Sequence, residues 1–176
     1  MFKKDIEAEA EGILQVANLM CVAIRTAPRA RGIDNIATAV VAGKDREKLA
    51  DKMKEIGERM KSETFTRDAE NVRKCHAVVL AGTRYKALGL RICGLCAFKD
   101  CAELEKNRGV CVFNPGDLGI ALGSAVSVAS AHHVDNRLMY TAGYAALELK
   151  LLGEDIKLAL GIPLSATGKN IFFDRK

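Results

Sequence analysis

Aromatic residues are scarce in this sequence, which has no tryptophan and only three prolines. Its 27 basic residues outnumber its 22 acidic ones, but they are spread along the whole chain and form no block of like charge. Proteins that bind nucleic acid usually combine a basic patch with aromatic side chains, so we expect no nucleic-acid partner. No apolar run approaches the roughly 20 residues of a membrane-spanning helix, so we expect no membrane-embedded segment.

Several familiar functional motifs are also missing. The chain contains no GxGxxG or Walker sequence and no HExxH or Ser–His–Asp arrangement, so hydrolase chemistry has no visible basis and no residue can be named as catalytic. Residues 1–11 are rich in acids and lack the apolar stretch of a signal peptide. We therefore expect a cytoplasmic protein.

The apolar pattern predicts a single domain over residues 1–176, with helices packed on a central sheet. Apolar residues at steps of three and four predict helices, and short apolar runs predict strands. The predicted helices cover 6–27, 45–60, 65–74, 117–132 and 136–152, and the predicted strands cover 36–42, 75–82 and 156–162. Asp45, Asp117 and Asp135 are the expected helix caps, and Pro163 the expected limit of the last strand. This order indicates an α/β or α+β fold, and we take α+β as the prediction.

Four of the six cysteines lie close together in the sequence. Cys93 and Cys96 form a CxxC pair, in which Gly94 allows the backbone to turn tightly. Cys101 and Cys111 can complete a cage of four thiolates around the same centre. The spacing therefore predicts a metal site with these four cysteines as ligands.

The cysteines fall in residues 83–114, a segment far longer than an ordinary connection, which we expect to be an insertion. Thiolates at these spacings suit an iron–sulfur cluster, with [4Fe–4S] preferred, or a structural zinc ion. Zinc sites usually repeat the CxxC pair, whereas cluster motifs tolerate a detached fourth cysteine. Disulfides are disfavoured in the cytoplasm, and plain thiols remain an alternative. Apolar neighbours are expected to shield a cluster, or to form an ordinary small core: Ile92, Leu95, Phe98, Val110, Val112 and Phe113.

Three polar stretches are candidates for contacts with an organic cofactor. The loop after Pro28 carries two arginines and an asparagine, and the helix predicted at 117–132 has a slim side of small residues. The C-terminal tail, which includes Arg175, has polar groups suited to an anion or a ribityl chain. The predicted cofactor contacts are Arg29, Arg31, Asn35, Ser124, Lys169 and Asn170. The alternatives are that the loop is only a solvent-exposed connection, that the slim side of the helix packs against a partner helix, and that the tail is an ordinary exposed terminus.

Residues 27–41 resemble the nitroreductase-like flavoproteins. In that family the first long helix ends in an APSAxN-type loop, and here Ala27 and Pro28 precede Asn35 and a strand that reaches Val41. The resemblance implies a nitroreductase-like sheet with flanking helices, FMN as a cofactor, and a homodimer.

Most of the chain is also similar to uncharacterised prokaryotic proteins that contain a ferredoxin domain. The shared features are a CGxC segment, a cysteine five residues later, a further cysteine that leads into FNPxDLGIA at 113–121, and a terminal GIPLSxxGKNIFFDR at 161–175. This resemblance implies four ligands of an iron–sulfur cluster, Cys93, Cys96, Cys101 and Cys111. It implies no settled activity.

These features predict an iron–sulfur redox protein, either a flavin-dependent reductase or an electron carrier of unknown substrate. A redox partner protein would supply single electrons, and a flavin would gather them in pairs for a small-molecule substrate. The alternative is a non-enzymatic binding protein in which zinc stiffens an interaction surface.

Overall fold

A four-stranded antiparallel sheet forms the centre of the molecule in the computed structural model, which describes residues 2–173. The strands are β1 (Ile36–Ala42), β2 (Ala77–Thr83), β3 (Asp135–Asn136) and β4 (Leu158–Ser165), in the spatial order β1-β2-β4-β3. Because every pairing is antiparallel and helices cover the sheet, the fold belongs to the predicted α+β class.

Residues 2–173 form six α-helices, five of which cover the sheet. They are α1 (Asp5–Thr26), α2 (Gly43–Met60), α3 (Glu63–Lys74), α4 (Cys101–Lys106), α5 (Phe113–Ala131) and α6 (Tyr140–Glu148), and one turn of 3₁₀ helix covers Ala30–Gly32. Helices α1 and α5 pack on one face, and α2, α3 and α6 pack on the other. Within residues 2–173, no helix combines the length and the apolar character needed to cross a bilayer.

The central strand β2 is buried along its whole length. Its side chains alternate between the two faces: Val78 and Leu80 contact the core beneath α2, α3 and α6, while Val79 contacts the core beneath α1 and α5. This alternation is the period-two geometry of a strand. A strand covered on both faces reads as a continuous apolar run, which is why the sequence pattern located it.

Two predicted helix starts are wrong because the helices begin earlier. Helix α2 starts at Gly43, so Asp45 lies inside its first turn instead of capping it. Helix α5 starts at Phe113, so Asp117 lies inside it instead of capping it, and Pro115 lies in its first turn. A proline is tolerated in the first helical turn because the amide it lacks has no intrahelical partner there.

Two predictions near the chain's C-terminal half also fail. Asp135 lies in β3 and pairs with Ser165, so it caps no helix, and α6 begins only at Tyr140. Strand β4 continues through Pro163 to Ser165. On the side of β4 that faces β3, Gly161 and Met139 exchange two backbone hydrogen bonds. Pro163 lies two residues further along β4, so its nitrogen faces the same side, between Met139 and β3. The missing amide therefore costs no bond to β2, whose pairing with β4 continues to Leu164, and this explains why the proline does not end the strand.

The cysteine-containing segment leaves the sheet at one of its two ends. At one end the start of β1 lies beside the end of β2, since Ile36 pairs with Thr83. We call this the cysteine end, because residues 84–112, the cysteine segment, leave β2 there and lead into α5. Helix α5 then runs across the sheet to the opposite end, where β3 begins. The rest of the described chain, the sheet with α1, α2, α3, α5 and α6, is called the body.

Candidate functional site

Two polar anchors tie the cysteine segment to the body. The Asn114 side chain, only 1% exposed, accepts a hydrogen bond from the backbone amide of Lys86 at 2.9 Å and donates one to its carbonyl at 3.1 Å. Arg31 donates from Nη1 to the carbonyl oxygen of Leu88 at 2.6 Å. The segment itself is loosely packed, since Leu88, Leu104 and Cys111 are its only buried side chains.

The four cysteines of the segment converge on one small region. Cys93, Cys96 and Cys101 line a common hollow, and the thiol of Cys96 also lies in hydrogen-bonding contact with Cys111. Gly94 has φ 107°, a left-handed conformation that favours glycine, as expected for the tight CxxC turn. All four thiols are free, and their exposure decreases from Cys93 at the surface to the buried Cys111.

A backbone hydrogen bond to Cys96 partly offsets the cost of forming its thiolate. The amide of Val112 donates a hydrogen bond to its Sγ at 3.1 Å, which lowers the pKa of Cys96. Desolvation and the neighbouring thiols Cys111 and Cys93 outweigh that bond, so the net pKa lies above the ordinary value. A bound metal would remove this penalty because it binds the thiolate form.

The donor set suits an iron–sulfur cluster or a structural zinc ion. It consists of four cysteines, the standard ligand set of such clusters. A tetrahedral zinc ion with Zn–S bonds of about 2.3 Å requires sulfurs roughly 3.8 Å apart. Across the described residues, no three cysteine, histidine or carboxylate side chains are arranged to hold one metal ion. In a cluster each cysteine binds a different iron, so a wider arrangement is suitable.

The prediction that apolar neighbours shield the site is wrong for its outer members. Ile92 is 90% exposed and Leu95 is 70% exposed, and Val110 and Val112 are also exposed. Phe98 is half-buried and packs against Gly109, where an added Cβ would lie 2.7 Å from its ring. The cysteine segment has one helix of six residues, too little regular structure to fold a core around the thiols.

Arg29, one of the predicted cofactor contacts, binds backbone carbonyls at the end of α1. Its guanidinium side chain, 7% exposed, donates to the carbonyl oxygens of Ile24 at 2.7 Å and Arg25 at 2.8 Å and pairs with Asp34. These carbonyls belong to the last turn of α1, so the arginine caps that helix. Its polar groups are already occupied.

The other predicted cofactor contacts are divided between the two ends of the sheet. Arg31 and the buried Asn35 lie with Arg29 at the cysteine end. Asn170 lies at the opposite end, where it donates to Asp135 at 3.0 Å, and Lys169 precedes it in an exposed turn. Ser124 is half-buried midway along α5. Arg175 lies outside the described residues. In one protomer the described members of this set therefore lie in three separate regions, at the two ends of the sheet and along α5.

An apolar cleft beside the cysteines was only partly visible in the sequence. It has a volume of about 530 Å³ and lies between the loop after Pro28, Leu95 and the start of α5. The Asp117 carboxylate accepts bonds from the amide of Ala30 at 3.2 and 3.3 Å, which joins the loop to α5. Small residues on α5 indicated that something approaches this helix, but the cleft depends on contacts between distant segments.

Comparisons with known proteins identify relatives of this chain. A model of the family described as "Uncharacterized protein containing a ferredoxin domain" matches residues 107–175, which include Cys111 but not the other three clustered cysteines. An "Uncharacterized protein" of Archaeoglobus fulgidus is 39% identical over 184 residues, covering 99% of this chain and 98% of the relative.

Solved structures of nitroreductases share the fold. Nitroreductase CinD from Lactococcus lactis, in complex with chloramphenicol, superposes with a TM-score of 0.64 and 16% identity over 95% of this chain and 81% of that one. The FMN-dependent nitroreductase NfnB from Mycobacterium smegmatis, in complex with NADPH, gives 0.59 and 13% over 88% and 78%. A putative nitroreductase from Desulfovibrio desulfuricans, in complex with FMN, gives 0.58 and 14% over 92% and 78%.

At these identities the solved structures establish the fold alone, and they confirm the nitroreductase-like sheet with flanking helices. The similarity over nearly the full length of the archaeal relative, together with the family model, establishes the family. The chain belongs to the family of uncharacterised proteins that contain a ferredoxin domain, and it has a nitroreductase-like fold.

Proposed function

We propose that this protein is an iron–sulfur redox protein whose [4Fe–4S] cluster is bound by Cys93, Cys96, Cys101 and Cys111. The observation that carries the proposal is the convergence of four free thiols on one region. They come from a CxxC turn, the start of α4 and the loop that leads into α5. When bound, such a cluster supplies one-electron chemistry.

The residues of this chain would hold and tune that cluster. The Val112 amide, 3.1 Å from the sulfur of Cys96, stabilises negative charge on the ligand, and hydrogen bonds of this kind raise a cluster's reduction potential. Asp100 accepts a bond from the Glu103 amide at 2.9 Å and so caps α4, which orients Cys101 at its first position.

A flavin-dependent reductase is the second candidate, and the apolar cleft of about 530 Å³ beside Leu95 favours it. Apolar clefts of this size suit flat organic ligands. Because Arg31 and Lys169 lie at opposite ends of the sheet, a flavin that contacts both requires a second protomer. Exposed apolar side chains on α1 and α5, including Leu19, Val22 and Ile120, are a surface through which a homodimer would form.

Metal and flavin analysis of anaerobically purified protein tests the proposal. We expect iron and acid-labile sulfide in equal amounts, about four of each per chain, and a broad visible absorbance that dithionite bleaches. FMN in the same sample would identify a reductase, and its absence a simple electron carrier. A colourless protein with stoichiometric zinc would instead support the non-enzymatic binding protein and refute the redox proposal.

A further inference from the structure

The outer rim of the cysteine segment presents an unusual apolar tip. Ile92 and Leu95, with exposures of 90% and 70%, flank Cys93 on either side. Exposed apolar side chains grouped at one site often mark a place where another molecule docks. Since electron transfer requires close approach, apolar groups next to cluster ligands lie where an electron-transfer partner would make contact.

The charges of the same segment are mostly positive. Residues 84–112 contain six basic and three acidic side chains. Arg84 pairs with Asp155 in the body, whereas no ion pair joins Arg91, Lys99 or Arg108 to any described residue. Two of the three acids, Asp100 and Glu103, accept hydrogen bonds from backbone amides at the start of α4. The cations are therefore available to a partner.

The charge of the cluster itself must be included in this balance. An oxidised [4Fe–4S] centre with four thiolate ligands carries a net charge of about −2. With Arg84 paired to Asp155, the remaining excess of two basic side chains in the segment offsets that charge, and the whole chain has a formal charge of +5 before the cluster is counted. A negatively charged partner would thus be attracted to this surface and not repelled by the cluster.

We propose that Arg91, Ile92 and Leu95 form the docking surface for an acidic one-electron carrier protein. The inference rests on the proposed function. In the transfer, the reduced centre of the carrier loses one electron and the [4Fe–4S] cluster is reduced from the 2+ to the 1+ state. No bond is made or broken and no proton moves. Small, partly charged contacts of this kind are typical of transient electron-transfer complexes.

Calorimetric titration of the iron-loaded protein with a plant-type ferredoxin, an acidic carrier, tests the surface directly. We expect binding at 20 mM salt that weakens at least about tenfold at 300 mM, because salt screens the charges. Ile92→Ser and Arg91→Glu should each weaken low-salt binding about fivefold or more. Cytochrome c, a basic carrier, should bind no tighter to the wild type than to Arg91→Glu.

Matched substitutions at the opposite end of the sheet serve as controls. Leu138, which is 45% exposed, is changed to Ser. Lys44, which is exposed at the start of α2, is changed to Glu. Both variants should bind ferredoxin like the wild type. Iron is measured in every sample. Wild-type protein without iron would refute the proposed function, whereas full iron content with equal binding by Ile92→Ser and the controls would overturn the docking surface alone.

Sedimentation analysis separates a second copy of this chain from a carrier as the occupant. We expect Ile92→Ser to leave the oligomeric state of the wild type unchanged. Conversion of a wild-type dimer into a monomer by this substitution would show that the tip is a self-interface, and would overturn the proposal.

Discussion

The body and the cysteine segment are stabilised in different ways. In the body, every residue of β2 is buried between two helical layers, and burial of apolar area supplies most of the stability. The cysteine segment buries three side chains in 29 residues and depends on a few polar anchors such as Asn114. If the proposed cluster is bound there, it would supply much of the order that the segment's own packing does not. The body therefore provides the fold, and the segment provides the proposed chemistry.

Cys96→Ser should produce the largest difference between the two regions. Loss of a central ligand should reduce bound iron from about four atoms per chain to nearly none, while the far-ultraviolet circular dichroism of the body stays the same. Iron analysis after anaerobic purification measures the effect. Cys21→Ser, a change to a half-buried thiol on α1, should keep all of the iron. Full iron content in Cys96→Ser would mean that the ligand assignment is wrong.

Gly143→Ala should destabilise the body strongly. An added Cβ would lie 1.8 Å from the carbonyl oxygen of Ala159, so α6 would have to move away from β4, at a cost of about 3 kcal/mol. Urea unfolding measures the change in the free energy of unfolding. Gly123 on α5 has no atom within 4 Å of the same position, so Gly123→Ala should instead stabilise the protein by about 0.5–1 kcal/mol. Equal effects of both substitutions would contradict the packing described for α6.

Asn114→Ala tests the junction between the two regions. Removing this side chain leaves the backbone amide and carbonyl of Lys86 without their partner, a loss worth about 1–3 kcal/mol. Because the anchor serves the segment, we expect faster amide hydrogen exchange in residues 84–112 and faster loss of iron to a chelator, with little change in exchange of β2. Uniform acceleration across the whole chain would indicate that the segment and the body unfold as one unit.

Ionisation of Cys75 concerns the body alone and has no effect on stability near neutral pH. Burial raises the pKa of this thiol from 9.0 to about 12, against a smaller opposing effect of Arg46. Above pH 9 the unfolded chain loses this proton before the folded chain does, so stability is complete below about pH 9 and decreases towards pH 12. The slope should approach about 1.4 kcal/mol per pH unit and should be smaller in Cys75→Ala. An identical slope in both proteins would contradict the assignment.

The body was largely predictable because apolar periodicity reports burial. The apolar steps along α1 and the continuous run in β2 located these elements nearly to the residue, and both are buried as expected. The start of a helix was less predictable, since Asp45 and Asp117 look like caps in the sequence but lie inside helices that begin earlier. Capping depends on local backbone geometry, which several residue types can satisfy.

The roles of polar side chains depended on contacts between distant segments. Arg29 looks like an anion ligand in the sequence, but the carbonyl oxygens at the end of α1 occupy it. Asn114 gave no sign that it would bind the backbone of Lys86, 28 residues earlier. The four cysteines were the exception, because ligand spacing is itself a local pattern. That they bind a cluster remains a prediction.

The claim that the cysteine segment binds a cluster is tested most directly by electron paramagnetic resonance of the anaerobically purified protein. Spectra are recorded before and after reduction by dithionite and are combined with iron and sulfide analysis. We predict a silent oxidised sample, a reduced signal typical of a [4Fe–4S]⁺ centre, and its loss in Cys96→Ser. A wild-type protein that shows no signal in either state and contains no iron would contradict the account.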